Sequence, residues 1–148
     1  MNEDMPGFHA VEGDFTNRDV KQEIHDILSE HGGKVDCIVS DMAANFTGDK
    51  ITDALRTMSL CEDALMFAAG SSCFDGKSNA EDNGNAEDDA MLRAGGTFIC
   101  KFFACGQDNE MDLMTAAKSR FRYTIVIKPK SSRKESAELF LFATGYKR

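Results

Sequence analysis

Lys101 is the residue in this sequence whose setting most suggests chemistry. It stands inside the run Phe98-Ile99-Cys100-Lys101-Phe102-Phe103, where a strand with one solvated face would alternate polar and apolar residues. Lysine is almost never fully buried without a partner. A lysine with reduced access to water gives up its proton more readily and can serve as a base near neutral pH. The plainer alternative is a lysine at the end of a strand, reaching out to water. Two acidic residues, Asp14 and Asp41, each follow a short apolar segment. In open α/β sheets ligands sit beyond the carboxyl ends of the strands, although either aspartate could equally be a turn or cap residue. Glu138 opens the last apolar segment, directly after a basic stretch holding Lys128, Lys130, Arg133 and Lys134. Four cations there suit phosphates, and they would also suit an ordinary solvated turn.

The elements that must position these residues are readable from hydrophobic period. Phe8-His9-Ala10-Val11-Glu12 predicts a short strand closed by Gly13-Asp14. Asn17 predicts a helix cap, and Val20, Ile24, Ile27 and Leu28 then fall on one helical face until Gly32-Gly33. Residues 35–41 form a nearly continuous apolar run, which predicts a parallel strand covered on both faces. A helix follows over residues 51–69. Gly95-Gly96 opens a strand over 97–103, and Met111, Leu113, Met114 and Ala117 support a helix ending near Arg120. Residues 123–127 and 138–144 predict two strands, and the linker between them is short enough to make them antiparallel neighbours. The order describes an α/β sheet, mostly parallel with one antiparallel C-terminal strand. Residues 71–90 are low-complexity and acidic, and predict a disordered surface insertion within a single domain of residues 1–148.

The chain has 148 residues, with 42% hydrophobic and 28% charged, which excludes a disordered or membrane-spanning protein. Its net charge of −8 speaks against a polyanionic partner until it is divided along the chain. Residues 1–70 carry 5 Lys/Arg against 14 Asp/Glu, residues 71–90 carry 1 against 6, and residues 91–148 carry 11 against 5. The last third is therefore basic, compatible with one positive face for a phosphate backbone. The five cysteines are odd in number and lack CxxC spacing, and Cys37, Cys61 and Cys100 lie in apolar sequence. A disulfide framework or a metal site is not expected, and a reducing compartment fits. His25 and His31 are expected on the solvent side of a helix, and methionines within helices as core fillers. There is no GxGxxG and no Walker loop.

Ser40-Asp41-Met42-Ala43-Ala44-Asn45 followed by Thr47-Gly48 resembles the SDMAPN-x-[ST]-G motif of the FtsJ/RrmJ family of ribosomal RNA 2′-O-ribose methyltransferases. Glu12-Gly13-Asp14-Phe15, Leu92 with Gly95-Gly96-Thr97-Phe98, and Lys101-Phe102-Phe103 with Gly106 match in order. Lys128-Pro129-Lys130-Ser131-Ser132-Arg133, leading to Ser136, Glu138 and Ala143-Thr144-Gly145, is the strongest match. The stretch Arg133-Lys134-Glu135-Ser136 is most similar to the mitochondrial, eukaryotic branch.

The resemblance implies a Rossmann-like fold and methylation of a ribose 2′-hydroxyl from S-adenosylmethionine. It implies a Lys-Asp-Lys-Glu catalytic set whose last three members fall on Asp41, Lys101 and Glu138. Lys101 would deprotonate or polarise the hydroxyl, and Asp41 and Glu138 would tune the lysine and orient the nucleotide. Asp14 and Phe15 would contact the cofactor adenine, and Asp41 its methionine end. Lys128, Lys130, Arg133 and Lys134 would bind RNA. The implied partner is ribosomal RNA or the large subunit, with no membrane and no metal. The expected oligomeric state is a monomer, and the expected compartment is the mitochondrion, with nucleus or cytoplasm the alternatives. By the same resemblance the family's first catalytic lysine, first strand and glycine-rich cofactor loop would precede residue 1, and nothing in residues 1–7 matches its ribose-binding acid. A chain lacking them would be marginally stable, residues 8–12 would pair weakly or wrongly, and the cofactor would bind poorly. Ala44 replaces a proline and should loosen its loop. Two other readings stay open, an inactive RNA-binding or ribosome-assembly module and a generic nucleotide-binding α/β domain.

Overall fold

The structure, a computed structural model, describes residues 6–74, 89–130, 133 and 136–148. They form two compact units, residues 1–34 and 35–148, taken here in turn.

The first unit is built on α1 (Arg18–Ser29). Its start is fixed by Asn17, whose side chain accepts from the Asp19 amide at 2.8 Å. The predicted apolar face is present, with Val20, Ile24, Ile27 and Leu28 half-buried, but no residue of the helix is fully buried. His31 lies beyond the helix, correcting the expectation, and its ring stacks at 5.3 Å on that of His9. Residues 8–12 do not form the predicted strand. A strand needs a ladder partner for alternate N–H and C=O groups; this segment is not part of the described sheet, and residues 6–10 are exposed.

The second unit contains β1 (Val35–Ser40), α2 (Lys50–Ala69), a 3₁₀ turn (Ser71–Cys73), β2 (Leu92–Phe103), α3 (Gln107–Arg120), β3 (Phe121–Ile127) and β4 (Glu138–Tyr146). The sheet order is β1-β2-β4-β3. β1 and β2 are parallel, and β4 runs antiparallel to both β2 and β3. Three strands thus share one direction and the C-terminal strand opposes them, as the sequence predicts. β2 begins at Leu92, before the expected start. It absorbs Gly95-Gly96 as an irregularity, because the register steps from Val35↔Leu92 to Cys37↔Thr97. A Cβ on Gly96 would lie 2.9 Å from the Arg93 carbonyl oxygen and 3.2 Å from that of Asp36, so only glycine lets the strands close there.

α2 and α3 pack on one face of this sheet. Phe98, Cys100 and Phe102 of β2 and Leu141 and Ala143 of β4 are buried there against Met58, Cys61, Leu65, Leu113 and Ala117. The alternate residues face the other way and are not sealed: Val39 is 65% exposed and Tyr123 55%. Ile99, Phe140 and Phe142 on the same face are half-buried. The expectation that β1 is covered on both faces therefore fails. β1 is an edge of the described sheet and pairs only with β2, which also leaves Cys37 exposed. Met58 is core, whereas Met111 is 64% exposed on α3.

The acidic segment is tied down at both ends, correcting its expected limits. Ser71 donates its amide to the Asp89 carboxylate, Cys73 is buried in the 3₁₀ turn, and Ala90 and Met91 are buried. Residues 75–88 lie outside the described residues. No described helix is long and apolar enough to cross a membrane.

Candidate active site

The carboxyl ends of β1 and β2, the N-termini of α2 and α3, and the start of β4 share one end of the sheet. Lys101 lies two residues from the end of β2, on the face away from the helices. Its side chain is only 14% exposed and its Nζ meets Asp41 Oδ1 at 2.7 Å. That pair supplies the partner a lysine inside an apolar strand requires. Asp41 keeps a 75% exposed side chain, so most of its carboxylate still faces solvent. Lys101 stands opposite Phe140 and Phe103 stands opposite Glu138. Glu138 is thus a diagonal neighbour of Lys101 on the same sheet face, half-buried and with its amide held by Ser136 Oγ at 3.2 Å.

The loop from Asp41 to Asp49 is held from beneath by two buried residues of α2 that sequence reasoning passed over. Asp53 accepts from the Thr47 amide at 2.8 Å, the Thr47 hydroxyl at 2.7 Å and the Gly48 amide at 3.2 Å. Those bonds, led by the two from Thr47, hold its carboxyl below the usual carboxylate range. Thr57 Oγ1 accepts from the Ala44 amide at 3.4 Å, a bond a proline at that position would lack. The spacing from Thr47 to a first-turn aspartate was the available signal. The same loop presents Phe46, whose ring lies 6.1 Å from that of Phe103.

Lys128 and Lys130 are exposed in the connection from β3 to β4, at the same sheet end as Lys101, and Arg133 is exposed beside them. Lys128 Nζ donates to the Ser136 carbonyl. Lys134 lies outside the described residues. Asp14 and Phe15 belong to the first unit. Asp14 Oδ1 accepts from both the hydroxyl and the amide of Thr16, at 2.7 and 2.8 Å, which keeps its carboxyl below the usual range. Phe15 receives Lys21 Nζ 5.0 Å from its ring centre. No three described His, Cys, Asp or Glu side chains are grouped to hold a metal ion.

The described geometry is a little-exposed lysine paired with a carboxylate, at a sheet end flanked by exposed cations. Residues 1–146 match the FtsJ-like methyltransferase family profile. The chain is 36% identical over 143 residues to ribosomal RNA large subunit methyltransferase E of Gluconobacter oxydans, and 38% to the protein of that name in Rhizobium rhizogenes. The alignments cover 97% of this chain but 44% and 49% of those relatives, so the chain spans about half their length. A ribosomal RNA methyltransferase from Plasmodium falciparum, described as putative, shares the fold with a TM-score of 0.64 at 22% identity, over 96% of this chain and 65% of that one.

Proposed function

The chain belongs to the FtsJ-like methyltransferase family, and on that premise we propose that it methylates a ribose 2′-hydroxyl of ribosomal RNA with S-adenosylmethionine as donor. The observation that carries this reading is the Lys101–Asp41 pair at 2.7 Å, with Glu138 opening β4 beside it.

An alcohol is a weak nucleophile, so the site must hold it in line with the methyl group and manage its proton. When bound, S-adenosylmethionine supplies an electrophilic methyl on a sulfonium. Asp41 takes one of the three N–H donors of Lys101 and fixes the direction of the other two, toward an incoming hydroxyl. As an ammonium, Lys101 would stabilise the negative charge developing on the ribose oxygen; deprotonated, it would instead take up the hydroxyl proton, and in either case the methyl–sulfur bond of the donor would break as the oxygen takes the methyl group. Glu138 orients the ribose from the diagonal position. Asp14 and Phe15 would hold the adenine, and Asp41 the methionine end. Lys128, Lys130, Arg133 and Lys134 hold the RNA backbone. The stretch from Arg133 to Ser136 supports a mitochondrial setting, testable by fractionating cells that express the tagged chain.

The test is calorimetric titration with S-adenosylmethionine and transfer of labelled methyl to large-subunit RNA. Both are run on this chain and on one extended to its relatives' length. Binding and transfer support the enzyme. RNA binding without cofactor binding in either chain overturns it and leaves an RNA-binding module.

A further inference from the structure

Phe46 poses a problem of its own. It is 72% exposed, yet it sits on a loop pinned through Thr47 and Gly48 to buried Asp53. An aromatic ring left in water loses the free energy its burial would yield, and a pinned loop prevents it from folding away. Its ring instead leans on Phe103, with centres 6.1 Å apart and planes at 59°. The two rings, with Lys50, Ile51 and Cys105, line a cavity of about 610 Å³. That volume falls within the range of small-ligand sites.

We infer that this cavity takes one unstacked nucleobase of the RNA strand that presents its ribose to Lys101. The inference rests on the reading of the chain as an RNA methyltransferase and names how the same site grips its substrate. Phe103 follows Lys101 by two residues on one face of β2, so the ring stands about 6.7 Å along the strand from the lysine. This is the scale of a single nucleotide. Single-stranded nucleic acids are held by aromatic platforms combined with a positive path for the backbone. Here Phe46 offers the platform, and Lys50 at the rim and the exposed Lys128, Lys130 and Arg133 at the same sheet end offer the charge. Every base has a π face, so such a slot fixes the position of a nucleotide without reading its identity.

The experiment measures anisotropy of a fluorescein-labelled single-stranded RNA decamer of mixed sequence, with the 148-residue chain and its Phe46→Ala and Phe46→Tyr forms. A second decamer has the same backbone and no bases. Phe46→Ala should weaken binding of the base-bearing decamer about 5- to 100-fold, with the salt slope unchanged. Phe46→Tyr should restore it. The baseless decamer should bind wild type and Phe46→Ala alike. Equal binding of the base-bearing decamer by both forms overturns the slot alone. An equal loss on both decamers overturns it too, because the ring then acts on the backbone or the fold. Competition by S-adenosylmethionine at Phe46 assigns the cavity to the cofactor instead. If the wild type binds neither decamer, the RNA reading and the slot fall together.

Discussion

The carboxylate of Asp53 holds Thr47 twice, through the amide at 2.8 Å and the hydroxyl at 2.7 Å. From the first turn of α2 it thereby sets the loop that carries both Asp41 and Phe46. The bonds favour the ionised form, so the folded carboxyl titrates below its ordinary value. A depressed acid stabilises the fold above the unfolded value of about 3.9, and that stabilisation disappears as pH falls through the folded value. Asp53→Asn should lower Tm at neutral pH. Melts from pH 7 to pH 2.5 should show the gap constant down to about pH 5 and closing below about pH 4. A gap independent of pH would mean the charge contributes nothing.

Lys101 and Asp41 should separate by their kinetics. In a chain that transfers methyl, Lys101→Ala should reduce turnover about 10²- to 10⁴-fold, the range for a positioned acid or base, with cofactor affinity unchanged. Lys101→Arg keeps the charge but cannot give up a proton. Substantial activity in Lys101→Arg would assign the lysine a polarising role, and a loss equal to that of alanine would make it the base. Asp41→Asn should cost less than Lys101→Ala, because it acts partly through the lysine it orients.

Binding to single-stranded RNA should weaken linearly in log–log with salt. Replacing Lys128, Lys130 and Arg133 together by glutamine should flatten that slope by about 2, at roughly 0.7 for each phosphate contact. An unchanged slope would return the linker to the role of a solvated turn.

The two faces of the sheet should answer differently to truncation. Phe98→Ala opens a cavity against the helices and should cost about 3–5 kcal/mol in urea titrations. Val39→Ala, on the open face, should stay within about 0.5 kcal/mol. Comparable losses would show that the open face is covered in solution.

Much of this arrangement was legible in the sequence. The Asn17 cap, the α1 stripe and α2 follow from side-chain period and capping chemistry, which are local. Lys101 was conspicuous because its neighbours are apolar, and its partner Asp41 because it ends a strand. Local signals misled where the outcome depended on neighbours in space. The apolar residues of β1 read as buried on both faces, yet β1 is an edge strand of the described sheet. Residues 8–12 have strand composition but no ladder partner among the described strands. Phe46 and Phe103 meet only after the parallel pairing of β1 and β2 brings their ends together, so no spacing rule reveals them.

The open face has a consequence for reactivity. Val39, Ile99 and Phe142 form a row across the sheet beside Lys101, and Asp41 faces solvent. The attraction between two opposite charges scales inversely with the dielectric constant around them. The exposure of Val39 and of Asp41 leaves the pair at the edge of a polarisable medium. Covering the row would lower the local dielectric constant and strengthen the attraction between Asp41 and Lys101. The cover over this hydrocarbon strip therefore sets how strongly the two charges feel each other.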